Sequence, residues 1–280
     1  MVSLIKRAVT SFQKLYPKAL ADSSWDNTGL LVDSPPKIVN KLNVLLAIDL
    51  TTGVVDEALS QDVNLIIAYH PIIFRPLKSL TTSNSQQNSI IRLIQAGVSV
   101  YCPHTAIDAA NGGVNDWLAK GISNSSDDKI TPIISCEPQL PYHTDPGMGR
   151  IVIFKSPRSF ESVISSVKSL LQMETIQIVR DGPLSKPIST VALCAGSGGS
   201  VLKDAGNVDL YFTGEFSHHE SLAAVESGTW AIICGHSNTE RGFLKAHLRD
   251  QLLAQFKADI DDIPVSVNVS KVDRDPLEFY

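Results

Sequence analysis

Apolar runs of strand length alternate along the chain with segments whose apolar residues recur at helical spacing. The runs are LNVLLAIDL (42–50), VNLIIAYH (63–70), VSVYCP (98–103), RIVIFK (150–155), TVALCAG (190–196), DLYFTG (209–214) and WAIICG (230–235). Most are continuous. A strand with one solvated face alternates apolar and polar residues, whereas a strand covered on both faces need not. The runs therefore predict strands lying between layers of helix. Helical patterns follow several of them: VVDEAL (54–59), SIIRLIQAG (89–97) ending at Gly97, FESVISSVKSLLQM (160–173) and GGSVLKDAG (198–206). Strand and helix in alternation are the rhythm of an α/β protein. Near the start, Leu4, Ile5, Ala8, Val9, Phe12 and Leu15 share one helical face that ends before Pro17, and near the end VSVNVSKV reads as a strand followed by a tail.

Two polar stretches punctuate this pattern. TTSNSQQNS (81–89) leads into a helix, and the irregular, proline-bearing segment 122–149 marks a domain boundary. A chain of 280 residues suggests two domains or one large one. Its 43% apolar and 19% charged residues are ordinary for a soluble globular protein. The net charge of -5 offers no global attraction to nucleic acid, so a nucleic-acid role is disfavoured. Cys102, Cys136, Cys194 and Cys234 form no CxxC pair, and three of them lie in or at the end of apolar runs, as small buried hydrophobes of a reducing compartment do. No apolar run approaches the roughly 20 residues that span a bilayer. The expected location is cytoplasmic. A mitochondrial presequence is the alternative, because four Lys or Arg residues precede the first acidic residue, Asp22.

Candidate chemistry is positional. Five apolar runs each end in a switch to ionisable residues: LLAID at Asp49, LIIAYHP at His70, VSVYCPHTAID at His104 and Asp108, DLYFTGEFSHHE at Glu215, His218 and His219, and AIICGHSNTE at His236 and Glu240. Sites in open α/β sheets form at the carboxyl ends of strands. Five of the seven histidines fall in these switches, which random placement would not produce. His104 and Asp108, Glu215 and His219, and His236 and Glu240 are each four apart, so on a first helical turn both members share a face. Imidazole with carboxylate is the ligand set of zinc, manganese or iron.

Each element has a plainer reading when taken singly. His70 is then a hydrogen-bonded residue at a strand end. Pro103–His104–Thr105 is a turn with Thr105 as helix cap, and Glu215 caps a helix beginning near Ser217 while His219 faces solvent. Taken together, the switches favour a metal site. The loop CAGSGGS (194–200) could hold a phosphate on its amides or be a tight strand-to-helix turn; it lacks the GK[ST] of a Walker A loop and is not GxGxxG. There is no GxSxG. In WDNTGLLV (25–32), Asp26–Asn27 is either a polar site group or a turn into a GLLV strand.

SWDNTGLLV, AYHPIIF, HTAID, TGEFSHHE and GHSNTERG, in this order, resemble the NIF-three-like family, some of whose members are described as GTP cyclohydrolase I type 2-like dinuclear metal proteins. The resemblance runs from Trp25 to Gly242. It implies two interleaved α/β domains with mixed sheets and a metal site at strand carboxyl ends, the first domain formed by 1–125 plus 229–280 and the second by 126–228. It further implies a toroidal homohexamer and a two-ion cluster. The family ligands fall on His70, Asp108, His236 and Glu240, with His104 close to the metals; Glu215, His218 and His219 stand where catalytic or substrate-binding groups are expected. The pattern usually has two adjacent histidines where this chain has Tyr69–His70. A neutral phenol is a poor ligand, with an ordinary pKa near 10, so one tight and one weak or absent site is expected. Longer relatives carry an inserted domain for which the segment between the linker and TVALCAG is too short.

These features lead to the expectation of a metal-dependent, cyclohydrolase-like hydrolase acting on a nucleotide or other phosphorylated small molecule. Zinc is the first choice of ion, with manganese or iron as alternatives and one or two ions per chain. The alternative is a metal-containing interaction protein with a transcription-related partner and no catalysis.

Overall fold

All seven apolar runs form strands in the computed structural model, which describes residues 3–278 apart from 36, 38, 138 and 139. The chain divides into two units, Met1–Ile107 with Leu244–Arg274, and Asp108–Phe243 with Asp275–Tyr280.

The first unit opens with α1 (Leu4–Leu15), β1 (Gly29–Val32), β2 (Leu42–Ala47), α2 (Thr52–Ser60), β3 (Leu65–Ala68), α3 (Ser85–Ala96) and β4 (Ser99–Cys102). Its helices start where side chains can take the orphan amides: Ser3 accepts from Lys6, Thr51 from Val54 and Asn84 from Gln87. α3 stops at Gly97, whose φ of +68° lets its amide turn back to the carbonyls of Leu93 and Ile94. α4 (Thr105–Ala109) then carries the chain into the second unit.

The second unit contains α5 (Val114–Ile122), β5 (Lys129–Thr131), β6 (Ile134–Ser135), β7 (Gly147–Met148), β8 (Arg150–Ser159), α6 (Phe160–Leu171), β9 (Gln177–Val179), β10 (Pro187–Ser197), α7 (Gly199–Leu202), β11 (Leu210–Glu215), α8 (His218–Glu226), β12 (Trp230–Ile233) and α9 (Asn238–Phe243). Its main sheet has the order β5-β8-β10-β11-β12-β9. β10, β11 and β12 are parallel, and the strands outside them are antiparallel. The chain re-enters the first unit through a wide helical turn (Leu244–Leu248), α10 (Arg249–Asp259) and β13 (Val265–Val269). β13 completes a mixed sheet of order β1-β4-β3-β2-β13.

Continuous apolar strands follow from cover on both faces. In the first unit Leu45, Ala47, Ile66, Ala68 and Val100 pack with Val54, Val55, Ala58, Ile90 and Leu93 of α2 and α3. The opposite face meets α1, where the rings of Phe12 and Tyr101 lie 5.0 Å apart. α10 joins α1 through Asp259, which accepts from Lys14 Nζ at 2.6 Å and Ser11 Oγ at 2.7 Å.

Strand pairing places the unit boundaries at positions other than 125 and 229. β12 pairs in register with β11, Leu210 opposite Trp230, so residues 229–243 belong to the second unit and take His236 and Glu240 with them. α5 packs on β8 and β10 and so lies there too. The polar segment 122–149 contributes β5, which pairs with β8 (Lys129 opposite Ile153), and is part of the sheet rather than a linker. Residues 150–197 form β8, α6, β9 and β10 with no inserted domain. Among the described residues no helix is long and apolar enough to cross a membrane.

Candidate metal centre

In the first unit β2, β3 and β4 run parallel, so the residues that follow them share one edge of the sheet. Asp49, His70 and His104 occupy that edge. Asp49 Oδ1 lies 2.9 Å from His70 Nδ1, and Asp26 Oδ1 lies 2.7 Å from His104 Nδ1. A carboxylate only accepts, so each Nδ1 carries the proton and each Nε2 keeps its lone pair, the tautomer that ligates a cation. The two imidazoles are 5.6 Å apart, nearly perpendicular. Tyr69 is buried beside them, with its ring edge-on to His70 at 5.4 Å and to His104 at 6.1 Å.

His104 has a φ of +35°, a conformation that L residues avoid and that clusters at functional sites. Asp26 holds it there, accepting also from the amide and hydroxyl of Thr105. Burial raises the Asp26 pKa, but the hydrogen bonds from His104 and Thr105 outweigh it, leaving the carboxyl below its ordinary value.

The second unit holds donors of its own. β11 and β12 are parallel neighbours, which sets Glu215 at the end of one beside His236 just past the end of the other. Glu215 Oε2 is 2.9 Å from His236 Nδ1, again leaving the lone pair of the neutral imidazole on Nε2, and that atom lies 3.5 Å from Glu240 Oε1. Glu240 is buried, one helical turn on from His236. Asp108 is buried as well. Burial pushes the Cys194 thiol up, the negative charges of Asp108 and Glu240 push it further, and Arg150 opposes them.

Gly196, with a φ of +62°, lies against this pair: a Cβ there would fall 2.7 Å from Glu240 Oε1 and 2.9 Å from His236 Nε2. The glycine leaves room for those two atoms and for whatever they hold. Two fully buried side chains brace the arrangement. Asn115 donates to the Asp108 carbonyl at 3.0 Å and accepts from the Ala195 amide at 2.9 Å. Thr239 accepts from the Gly196 amide and donates to the His236 carbonyl, both at 2.8 Å. Neutral imidazole nitrogens oriented by carboxylates, with buried carboxylates of their own, are the donor chemistry of a divalent-metal site.

Other predicted groups have different surroundings. His218 and His219 are exposed in the first turn of α8, their rings edge to face at 5.4 Å. That helix is capped by Ser217 and Glu220 in a reciprocal capping box, not by Glu215. Glu215 is bonded to His236 and therefore orients it. In the GSGG loop the Gly196 amide is taken by Thr239 and the Gly198 amide by Thr213, at 3.1 Å, and α7 is only four residues long. The loop is a tight strand-to-helix turn whose amides at those glycines are not presented to a phosphate. Asp26 and Asp49 carried a sequence signal, as polar residues beside apolar runs; Asn115 and Thr239 carried none.

A family model described as Duf34/NIF3 (NGG1p interacting factor 3) matches residues 3–276. The chain is 45% identical over 276 residues to a protein named NIF3 homolog from Schizosaccharomyces pombe, covering 98% of this chain and 96% of that one. It is 43% identical over 290 residues to a Saccharomyces cerevisiae protein named NGG1-interacting factor 3, again covering 98% and 96%. A Bacillus cereus protein related to NIF3, known from its crystal structure, superposes with a TM-score of 0.82 at 22% identity over 98% of both chains, a likeness of fold. The extent of these matches shows that this chain belongs to the DUF34/NIF3 family.

Proposed function

We propose that the protein binds a divalent cation through His70, Asp108, His236 and Glu240, with His104 beside them, and acts as a metal-dependent hydrolase on a nucleotide or other phosphorylated small molecule. One observation supports the metal reading: His70, His104 and His236 each have a carboxylate on Nδ1, from Asp49, Asp26 and Glu215, so in the neutral imidazole each keeps its lone pair on Nε2, the nitrogen that can ligate a cation. Zinc is the expected ion, with manganese or iron as alternatives, and Tyr69 in place of a second histidine favours one tight ion per chain over two. A bound divalent ion supplies Lewis-acid polarisation and a water of lowered pKa. The chain supplies orientation: Asp49 and Glu215 fix the imidazole planes, and Asp108 and Glu240 bring the balancing negative charge. For the general base the candidates are Glu215, which is half exposed, or a histidine of the exposed first turn of α8, His218 or His219. The substrate class rests on the family resemblance, because the GSGG loop gives it no support.

The test is turnover of a nucleotide panel by purified protein, with and without added metal. Activity that His236→Ala abolishes supports the reading; no turnover with any metal removes the hydrolase. We also propose a cytoplasmic homohexameric ring, which light scattering of the eluted protein tests by mass.

A second reading has its own observation. The S. cerevisiae relative, 43% identical, is named for an interaction with NGG1. On that reading this chain is a metal-containing partner of a transcription-related protein and performs no catalysis. Partner binding that survives both Asp108→Asn and His236→Ala favours it over the enzyme.

A further inference from the structure

Trp25 belongs to the SWDNTG segment but to no ligand set. It is 52% exposed, unusual for so large an apolar side chain, yet it is firmly held. Its Nε1 donates to Asp22 Oδ2 at 2.9 Å, and Asp22 is fixed in turn by the amide and hydroxyl of Ser24. On the other side Asp26 is bonded to His104 and Thr105, and Asn27 donates to the Ile73 carbonyl, next to Phe74. Phe74 is 45% exposed, with its ring 6.0 Å from the indole and at 62° to it. The indole stands perpendicular to His104 at 5.8 Å. Three polar anchors thus hold two solvent-facing rings beside a candidate ligand histidine.

We infer that Trp25, backed by Phe74, is the platform on which a planar heteroaromatic ring of the substrate, such as a nucleobase, stacks beside His104. The indole N–H is taken by Asp22, so the platform offers π surface and no donor, which suits stacking of a flat ring. Two rings are far too little area for the roughly 800 Å² per partner that a stable protein interface buries. His104 in turn lies 5.6 Å from His70. This assignment rests on the nucleotide reading above and locates its base.

The experiment uses the full, metal-loaded chain. Trp230 is buried and Trp117 only partly exposed, so quenching of tryptophan emission by a ligand reports mainly on Trp25. Adenosine and guanosine carry the ring without phosphate, and ribose 5-phosphate carries phosphate without the ring. The nucleosides should quench saturably and ribose 5-phosphate should not. By calorimetry Trp25→Leu should weaken nucleoside binding roughly 5- to 150-fold, the range of one base–aromatic stack, while Trp25→Phe should keep most of it. Metal content and mass are measured on every variant, so that a misfolded Trp25→Leu is recognised and Trp25→Phe, which must bind, then decides. Unchanged nucleoside affinity in Trp25→Leu, or no saturable nucleoside binding by the parent protein, overturns the inference. A change of mass with affinity unchanged also overturns it and assigns the rings to contact between copies. Nucleoside binding that depends on Trp25 stands even where no nucleotide is hydrolysed, so failure of the enzyme reading is told apart from failure of this one.

Discussion

Substituting alanine for Gly196 should weaken metal binding while leaving the fold largely intact. The added Cβ would lie 2.7 Å from Glu240 Oε1 and 2.9 Å from His236 Nε2, closer than real Cβ contacts come, so at least one of those atoms must move. The backbone adds its own cost, because a φ of +62° is left-handed and an L side chain there loses roughly 1–2 kcal/mol. Gly206→Ala separates the two effects: Gly206 has a φ of +69° with nothing within 4 Å of its Cβ position. Gly206→Ala should therefore lose about 1 kcal/mol, a few degrees of melting temperature, and bind metal normally. Gly196→Ala should lose at least as much stability and also bind metal tenfold to a hundredfold more weakly, the range seen when metal-orienting groups are disturbed. The assay is zinc titration of metal-free protein against a chromophoric chelator, with urea melts of the same samples. Parent-like zinc affinity in a destabilised Gly196→Ala would refute the assignment of His236 Nε2 and Glu240 Oε1 as ligand atoms.

Three further outcomes are expected. Glu215→Gln removes the charge that fixes the His236 tautomer and should weaken metal binding about tenfold to a hundredfold in the same titration, with little change in the urea midpoint. Tyr69→His restores the adjacent histidine pair and should raise bound metal from about one to about two ions per chain by elemental analysis; an unchanged ratio would show that Tyr69 does not limit the second ion. Hydrogen bonds from Lys14 and then Ser11, against a smaller opposing effect of burial, hold Asp259 at a pKa of about 2. That is below its unfolded value, so its contribution of up to about 2 kcal/mol is complete above pH 4 and disappears as pH falls from 4 towards 2. Asp259→Asn should be less stable than the parent at pH 7 and equally stable at pH 2 in denaturant melts.

Much of the scaffold was legible because it is local. Strands such as Leu65–Ala68 declare themselves by continuous apolar sequence, and Gly97 ends α3 through a backbone angle written in one residue type. The edge strands β5 and β9 are short and half exposed, so their composition does not separate them from loop. The boundary of the second unit was misplaced for the same reason: polarity marks solvent, whereas membership is decided by pairing, and Trp230 pairs with Leu210. Candidate ligands could be read as switches at strand ends, but their partners could not. Asp26 reaches His104 only because the antiparallel pairing of β1 with β4 returns it there, and Glu215 meets His236 only because β11 and β12 are neighbours. The GSGG loop suggested phosphate from its composition alone; the hydroxyls that occupy its amides come from Thr213 and Thr239, on other elements.

The central claim is the metal, and elemental analysis of the full chain purified without chelator tests it most directly. The account predicts about one tightly held divalent ion per chain, absent from His236→Ala and from Asp108→Asn although both variants fold. Protein that carries no divalent metal as purified, and takes up none when titrated with zinc, manganese or iron(II), would contradict it.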